Sequence, residues 1–329
     1  MTQGVGDALV AGRAEAPPEF DGSVAAASRQ IVGRSPFYLA FSRLRRDRAA
    51  IISFWVIVAI VLIAIIAPVF ATITGHGVNH QYRGVEALSP AGQPHAPSSK
   101  FWFGTDDQGR DILVRVAYGA RISLIIGIGA TAITIIVGVL VGLIAGYFGG
   151  IVDTIIARIV DVVLSIPYLL FAIALVSVLG HINLWVVMIV IAAFGWASVG
   201  RIIRGQVLSI REREYIEAAR SLGAGDWRII FHDILPNVIA PAIVFSTLLL
   251  PVSIVAEAAL SFLGVGVQPP TADWGQMISA SQQYIDSGVA WWYLFFPGIA
   301  LVITTLAFNI LGDGVRDAFD PRSDRLFAK

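Results

Sequence analysis

The chain has 329 residues, of which 56% are hydrophobic and 14% charged, with a mean hydropathy of +0.76 and a net charge of zero. That balance excludes an ordinary soluble domain and describes an integral membrane protein. The absence of cysteine removes disulfide and thiolate chemistry, and the even charge offers no basic field for nucleic acid.

Residues 1–34 hold no apolar core segment, and Met1 is followed by small, proline and acidic residues rather than by the basic and apolar stretches of a signal peptide. They read as a disordered tail. Residues 35–48 set Phe37, Tyr38, Phe41 and Leu44 among Arg43, Arg45, Arg46 and Arg48. This is the composition of a helix lying at a membrane interface, or of a charge cluster that only orients the first crossing.

A helical crossing needs about 20 apolar residues. Charge-free runs of that order occupy residues 49–76, 122–152, 162–200, 234–256 and 287–312, and the third is long enough for two crossings with a turn at Gly180–Asn183. The expected fold is all-α, a polytopic membrane protein of six transmembrane helices. Span one covers about 49–70, with Pro68 near its end, and a loop rich in Gly, Pro and Ser follows over 72–119. Span two is dense in small residues, and Gly138, Gly142 and Gly146 form two overlapping GxxxG patterns that let helix backbones approach closely. Span three begins near Asp153, Arg158 and Asp161, where the spacing of the last two permits an ion pair on one helix face. It also carries Ile166-Pro167, where a missing amide hydrogen bond bends a helix. Span five, about 238–262, contains Pro241, Pro251 and Glu257. A stretch over 264–290, surface or re-entrant in character, precedes span six.

The basic residues give the orientation. Of 23, 18 precede span one, join spans two and three, join spans four and five, or follow span six; Arg83, Lys100, Arg110, Arg115 and Arg121 fall in the loop on the other face. The positive-inside rule places both termini and the loop over 206–236 in the cytoplasm.

That loop reads as two short helices. Good helix formers run from Arg211 to Leu222, and Gly223 sits where a helix ends in the left-handed conformation. Asp226 is placed to cap a second helix over Trp227–Ile234, which Pro236 ends. Ala218 and Ala219 leave a bare surface beside Glu217, suited to a groove on another protein with the carboxylate as anchor. A solvated amphipathic loop has the same composition.

Other chemistry finds little support. A phosphate-binding Walker A loop needs a lysine before Ser or Thr, and the only lysines are Lys100 and Lys329. His76 and His80 have helical ligand spacing, but Gly77 and Asn79 between them argue for coil. The spans hold no His/Asp pair for an intramembrane enzyme, and neither paired helix breaks nor acids at mid-membrane for an ion-coupled secondary transporter. Glu257 lies about 20 residues beyond Pro236, hence ~30 Å along span five near its outer end, as an anchor or gate element. Asp106, Asp107, Arg110 and Asp111 could receive a solute-binding protein at the outer face, or tie their loop onto span two.

Glu217-Ala218-Ala219, Gly223 and Leu235-Pro236, at these spacings, resemble the EAA loop of permease subunits of ABC importers, whose helix docks in a cleft of the ATP-hydrolysing subunit. Phe103-Gly104-Thr105-Asp106, Gly109-Arg110-Asp111, Tyr118-Gly119-Ala120-Arg121, the run Glu257–Gly264, and Asn309 with Gly312-Asp313-Gly314 and Arg316-Asp317 resemble the C-type permeases of dipeptide, oligopeptide and nickel importers. The resemblance covers about 35–322; the long tail and His232-Asp233, where related loops usually read Arg-His, depart from it.

It implies a six-helix ABC importer transmembrane domain over 49–322 in a bacterial cytoplasmic membrane, between an interfacial segment at 35–48 and a cytoplasmic end at 323–329. It also implies docking through Glu214, Glu217, Ala218, Ala219, Arg220, Gly223, Leu235 and Pro236. The implied partners are a second homologous permease, two ATP-binding subunits that hold ATP and Mg, and an extracytoplasmic substrate-binding protein. The chain itself would carry no cofactor and no catalysis. Di- and oligopeptides are the implied cargo, with nickel chelates, haem or another small solute as alternatives.

Overall fold

The computed structural model describes residues 36–179, 182–285 and 288–320. The readings made of residues 1–34 and 323–329, and of the Gly180-His181 turn, lie outside them.

Among the described residues helices are the only extended regular elements, residues 75–111 being turns and irregular chain with two isolated bridges, Leu88 with Pro94 and Thr105 with Asp111. Helix α1 (Pro36–Leu44) leads to α2 (Arg48–Ile65), which Asp47 caps by accepting from the amides of Ala49 at 2.9 Å and Ala50 at 3.2 Å. The first predicted span is two helices, because the chain breaks at Ile66 and restarts as α3 (Ala67–Thr74). Pro68 lies in the first turn of α3, where its missing N–H removes no helical bond; it begins a helix and does not end one.

Helix α4 (Ile112–Phe148) is capped by Asp111 and starts earlier than the 72–119 loop allows. Helices α5 (Gly150–Ser165) and α6 (Tyr168–Leu179) meet at 90°. Ile166 takes an extended ψ of 126°, as the residue before a proline must, so Pro167 breaks this crossing outright. Then come α7 (Leu184–Arg211), α8 (Glu214–Ser221), α9 (Asp226–Arg228), a π-turn over Ile229–Ile234, α10 (Leu235–Phe262), α11 (Trp274–Ile285) and α12 (Trp291–Phe319). Five segments are long and apolar enough to cross a membrane, α2, α4, α7, Asp226–Phe262 and α12, and there are six if the bent α5/α6 pair counts as one span.

The most extensive helix contact joins α4 to α7. Gly138, Gly142 and Gly146 present bare backbone to Val199, Ile203 and Val207, and a Cβ at Gly146 would lie 2.6 Å from that of Val207. Where lipid is as apolar as leucine, such shape matching, not hydrophobicity, joins helices. Helix α10 packs on α4 and α12, and α2 closes on α12. Arg43 donates to the carbonyls of Ala318 and Asp320, both at 3.1 Å. The two ends of the described chain therefore meet.

Candidate functional site

Helix α8 is short, and tertiary packing rather than propensity holds it. Ile216 is fully buried in a cluster with Ile229, Ile230 and Ile234 from the π-turn and Val207 from α7. Ala219, one turn on, is half-buried against the same cluster. Of the alanine pair expected to leave a bare surface, only Ala218 does so, because each helical residue turns the side chain by about 100°. Glu214, Glu217 and Ala218 are exposed. Glu214 and Glu217 stand in the first turn, where the positive end of the helix dipole favours them.

Gly223 has φ +80°. Its amide donates to the Arg220 carbonyl at 2.9 Å, and the Ala224 amide to that of Ala219 at 3.0 Å, a Schellman cap that ends α8 as predicted. Asp226 does not cap the next helix; its Oδ1 accepts the Tyr147 hydroxyl at 2.7 Å. Nor does Pro236 end a helix. Asp226–Phe262 is one continuous segment, and the wider π-turn just before Pro236 takes up the absent proline amide. Leu235 is half-buried against the cluster around Ile216, and Pro236 is exposed.

Three side chains of this region converge on the end of α4. Arg211 donates to the carbonyls of Gly146 at 3.0 Å and Tyr147 at 3.4 Å, closing that helix's C-terminus. Arg220 lies 5.3 Å above the Tyr147 ring. Tyr147 bonds Asp226. Arg220 thus fastens the loop inward, and Tyr147, Arg211 and Asp226, absent from the sequence-based site, brace it. Beside the exposed charges of Arg213, Glu214, Glu217 and Arg220, the loop and the turn after it expose four large apolar residues: Tyr215, Leu222, Trp227 and Phe231, Leu222 by 88%, with Trp227 stacked on Phe231 at 6.0 Å. Exposed aromatic and aliphatic groups among charged ones are the composition of a protein interface.

At the far end, Asp106 is fully buried. Its Oδ1 accepts from the amides of Gln108 and Arg110, both at 2.9 Å, and its Oδ2 accepts from Arg110 Nε at 2.6 Å. Asp111 caps α4 through the Leu113 amide at 2.8 Å and meets His76 Nδ1 at 2.5 Å. Of the two readings for this group, the tie fits the geometry: Asp106, Arg110 and Asp111 are buried and engaged within the loop. Asp107 accepts from the Tyr293 hydroxyl at 3.0 Å; burial first, and the neighbouring Asp106 charge second, raise its pKa above the usual carboxylate range.

Glu257 lies five residues before the end of α10, fully buried. It accepts from Ser123 at 2.9 Å and Ser261 at 3.0 Å, and it meets the buried carboxyl of Asp273. The Ser123 bond joins α10 to α4 at a fully buried carboxyl. Two further acids pair with α7: Asp153 takes both Arg204 nitrogens, Nη2 at 2.7 Å, and Asp161 takes Arg201 at 2.5 Å. The expected Arg158–Asp161 pair is also present at 3.7 Å, on an exposed face. The α7 pairs were missed because Arg201 and Arg204 were counted as loop residues, whereas α7 runs on to Arg211. Among the described residues no His, Asp or Glu side chains gather as a metal site.

Residues 138–325 match the family described as the binding-protein-dependent transport system inner membrane component, and residues 35–90 match the N-terminal TM domain of oligopeptide transport permease C. The chain is 43% identical to the dipeptide transport system permease protein of Alkalihalophilus pseudofirmus, covering 89% of this chain and 92% of that one. It is 41% identical to the Bacillus subtilis dipeptide transport system permease protein, over 87% and 86% of the two chains. It is also 41% identical to the oligopeptide transport system permease protein of Bacillus subtilis, over 86% and 88%.

Proposed function

Because the chain belongs to the family of inner membrane components of binding-protein-dependent transport systems, we propose that it forms half of the path by which an ATP-driven importer carries di- and oligopeptides. The chain is a non-catalytic permease subunit. A second homologous permease completes the path, two ATP-binding subunits hold ATP and Mg, and an extracytoplasmic binding protein delivers the cargo. Both termini and α8 face the cytoplasm, in keeping with 18 of 23 basic residues in the segments on or nearest that side.

The observation that carries this reading is α8, an anchored helix that exposes Glu217 and Ala218, with Tyr215 and Leu222 exposed in and just after it. Docked in a cleft of the ATPase, Glu217 becomes a desolvated anchor, and its loss costs about 2 kcal/mol or more. The peptide assignment is supported by the names of the relatives.

The test is to reconstitute the complex in vesicles and compare wild type with Glu217→Ala for peptide uptake and peptide-stimulated ATP hydrolysis. Both fall together by tenfold or more if α8 is the coupling element. Uptake that runs on an ion gradient without hydrolysis would overturn the assignment.

A further inference from the structure

Helix α5 carries two unlike exposed faces. Thr154, Arg158, Asp161 and Ser165, spaced 4, 3 and 4 residues apart, form a polar stripe, all exposed. About a quarter-turn away, Ile151, Ile155, Ile159 and Val162 form an apolar one, also exposed. Helix α7 presents its own exposed stripe of small and polar residues, Ser198, Arg201, Gly205 and Ser209. Arg201 Nη2 donates to Asp161 Oδ1 at 2.5 Å and joins the two stripes into one furrow, beside a cleft of about 190 Å³.

Arg201 lies ten residues, ~15 Å, inside the Arg211 end of α7 and 17 residues, ~25 Å, from Leu184, which sets it toward the inner edge of a hydrocarbon core of about 30 Å. Side chains of Arg158, Asp161 and Arg201 are 80%, 53% and 51% exposed in the single subunit. Charges at that depth do not face lipid; they face a bundle interior or a water-filled cavity. The apolar stripe of α5 is the face that suits lipid.

We propose that this furrow lines the aqueous translocation path and that Arg201 and Asp161 form a station for the charged termini of the transported peptide. The proposal rests on the peptide-importer reading above. Arg201 offers the planar fork that grips a carboxylate at two points, and Asp161 accepts from an ammonium group. Their mutual bond is half-exposed and single, so a peptide's termini exchange with it readily. The neighbouring Arg204–Asp153 pair shows the contrast: it is two-pronged, with side chains only 31% and 17% exposed, and it holds α5 to α7.

The native chain contains no cysteine, so single-cysteine variants of the full complex report water access directly. Ser165→Cys and Ser198→Cys should react with a membrane-impermeant maleimide and be protected by saturating peptide, while Ile155→Cys should not react. For binding, Arg201→Gln should raise the uptake KM of a peptide with a free C-terminus about tenfold and leave that of its C-amidated analogue unchanged. Asp161→Asn should discriminate in the same way between free and acetylated N-termini. Equal effects on free and blocked peptides, or none, overturn the station. Ser165→Cys and Ser198→Cys both inert overturn the furrow as a water path. Wild-type vesicles that take up no peptide overturn the substrate reading and the station with it, while reaction of the two cysteines still places the furrow in water.

Discussion

Replacing Gly142 with alanine adds one methyl group to the seam between α4 and α7. Its Cβ would lie 2.8 Å from the Ile203 Cβ and 2.9 Å from the Gly200 carbonyl oxygen, about 0.6 Å short of ordinary contact with the first. One obstacle is backbone and the other a β-branched side chain held against its own helix, so the helices themselves must part. Overpacking of this kind costs about 1–3 kcal/mol. Parting the helices also loosens Gly138 from Val199 and Gly146 from Val207, at ~0.1–0.2 kcal/mol per atom pair. Against this stands alanine's helix propensity, at most about 1 kcal/mol better than glycine. A net loss of about 1–2 kcal/mol is expected. Gly298 in α12 is the control, since a Cβ there meets nothing within 4 Å, and Gly298→Ala should be neutral or stabilising by up to ~1 kcal/mol. Unfolding both variants in detergent micelles with rising SDS, followed by tryptophan fluorescence, separates them. A Gly142→Ala chain as stable as Gly298→Ala would refute the packing argument.

Removing the Asp106 carboxylate by Asp106→Ala strands the buried Arg110 guanidinium and two loop amides, at about 3–5 kcal/mol; a melting curve within ~1 kcal/mol of wild type would show that this network is not what holds the loop. Asp107 has its folded pKa raised by burial and by Asp106, so the folded state holds its proton more tightly than the unfolded chain. Its ionisation therefore erodes stability as pH rises from the unfolded value through the folded one. Asp107→Asn keeps an acceptor for Tyr293 and abolishes that slope, so wild type should lose ground to the variant as pH rises in parallel melts; curves that stay parallel sink the assignment.

Much of this was legible in the chain. The glycine spacing at 138, 142 and 146 announced a close helix contact, since small residues every fourth position have few other uses in a membrane span. Gly223 announced the end of α8, because its positive φ is cheap for no other residue. What each proline does was not legible. Pro68 begins a helix, Pro167 breaks a crossing at right angles, and Pro236 interrupts nothing, because a proline's effect depends on whether a neighbouring turn can widen or whether the helix is starting there. The bracing of the loop around α8 by Tyr147, Arg211 and Asp226 was invisible, since it joins positions 64 to 79 residues apart. Residue type alone could not separate Ala218 from Ala219; their exposure follows from Ile216, which fixes the rotation of α8 about its axis.

The π-turn at Ile229–Ile234 sets a bearing as well as accommodating Pro236. Such a turn is an α-helix with one extra residue threaded in, and each residue advances a helix by about 100°. Deleting one residue there would let the segment wind as a plain helix and would swing everything before it through that angle relative to α10. Glu217 would keep its helix and its chemistry and point elsewhere. The count of residues between α8 and α10 thus sets where Glu217 points, as much as the side chains of α8 do.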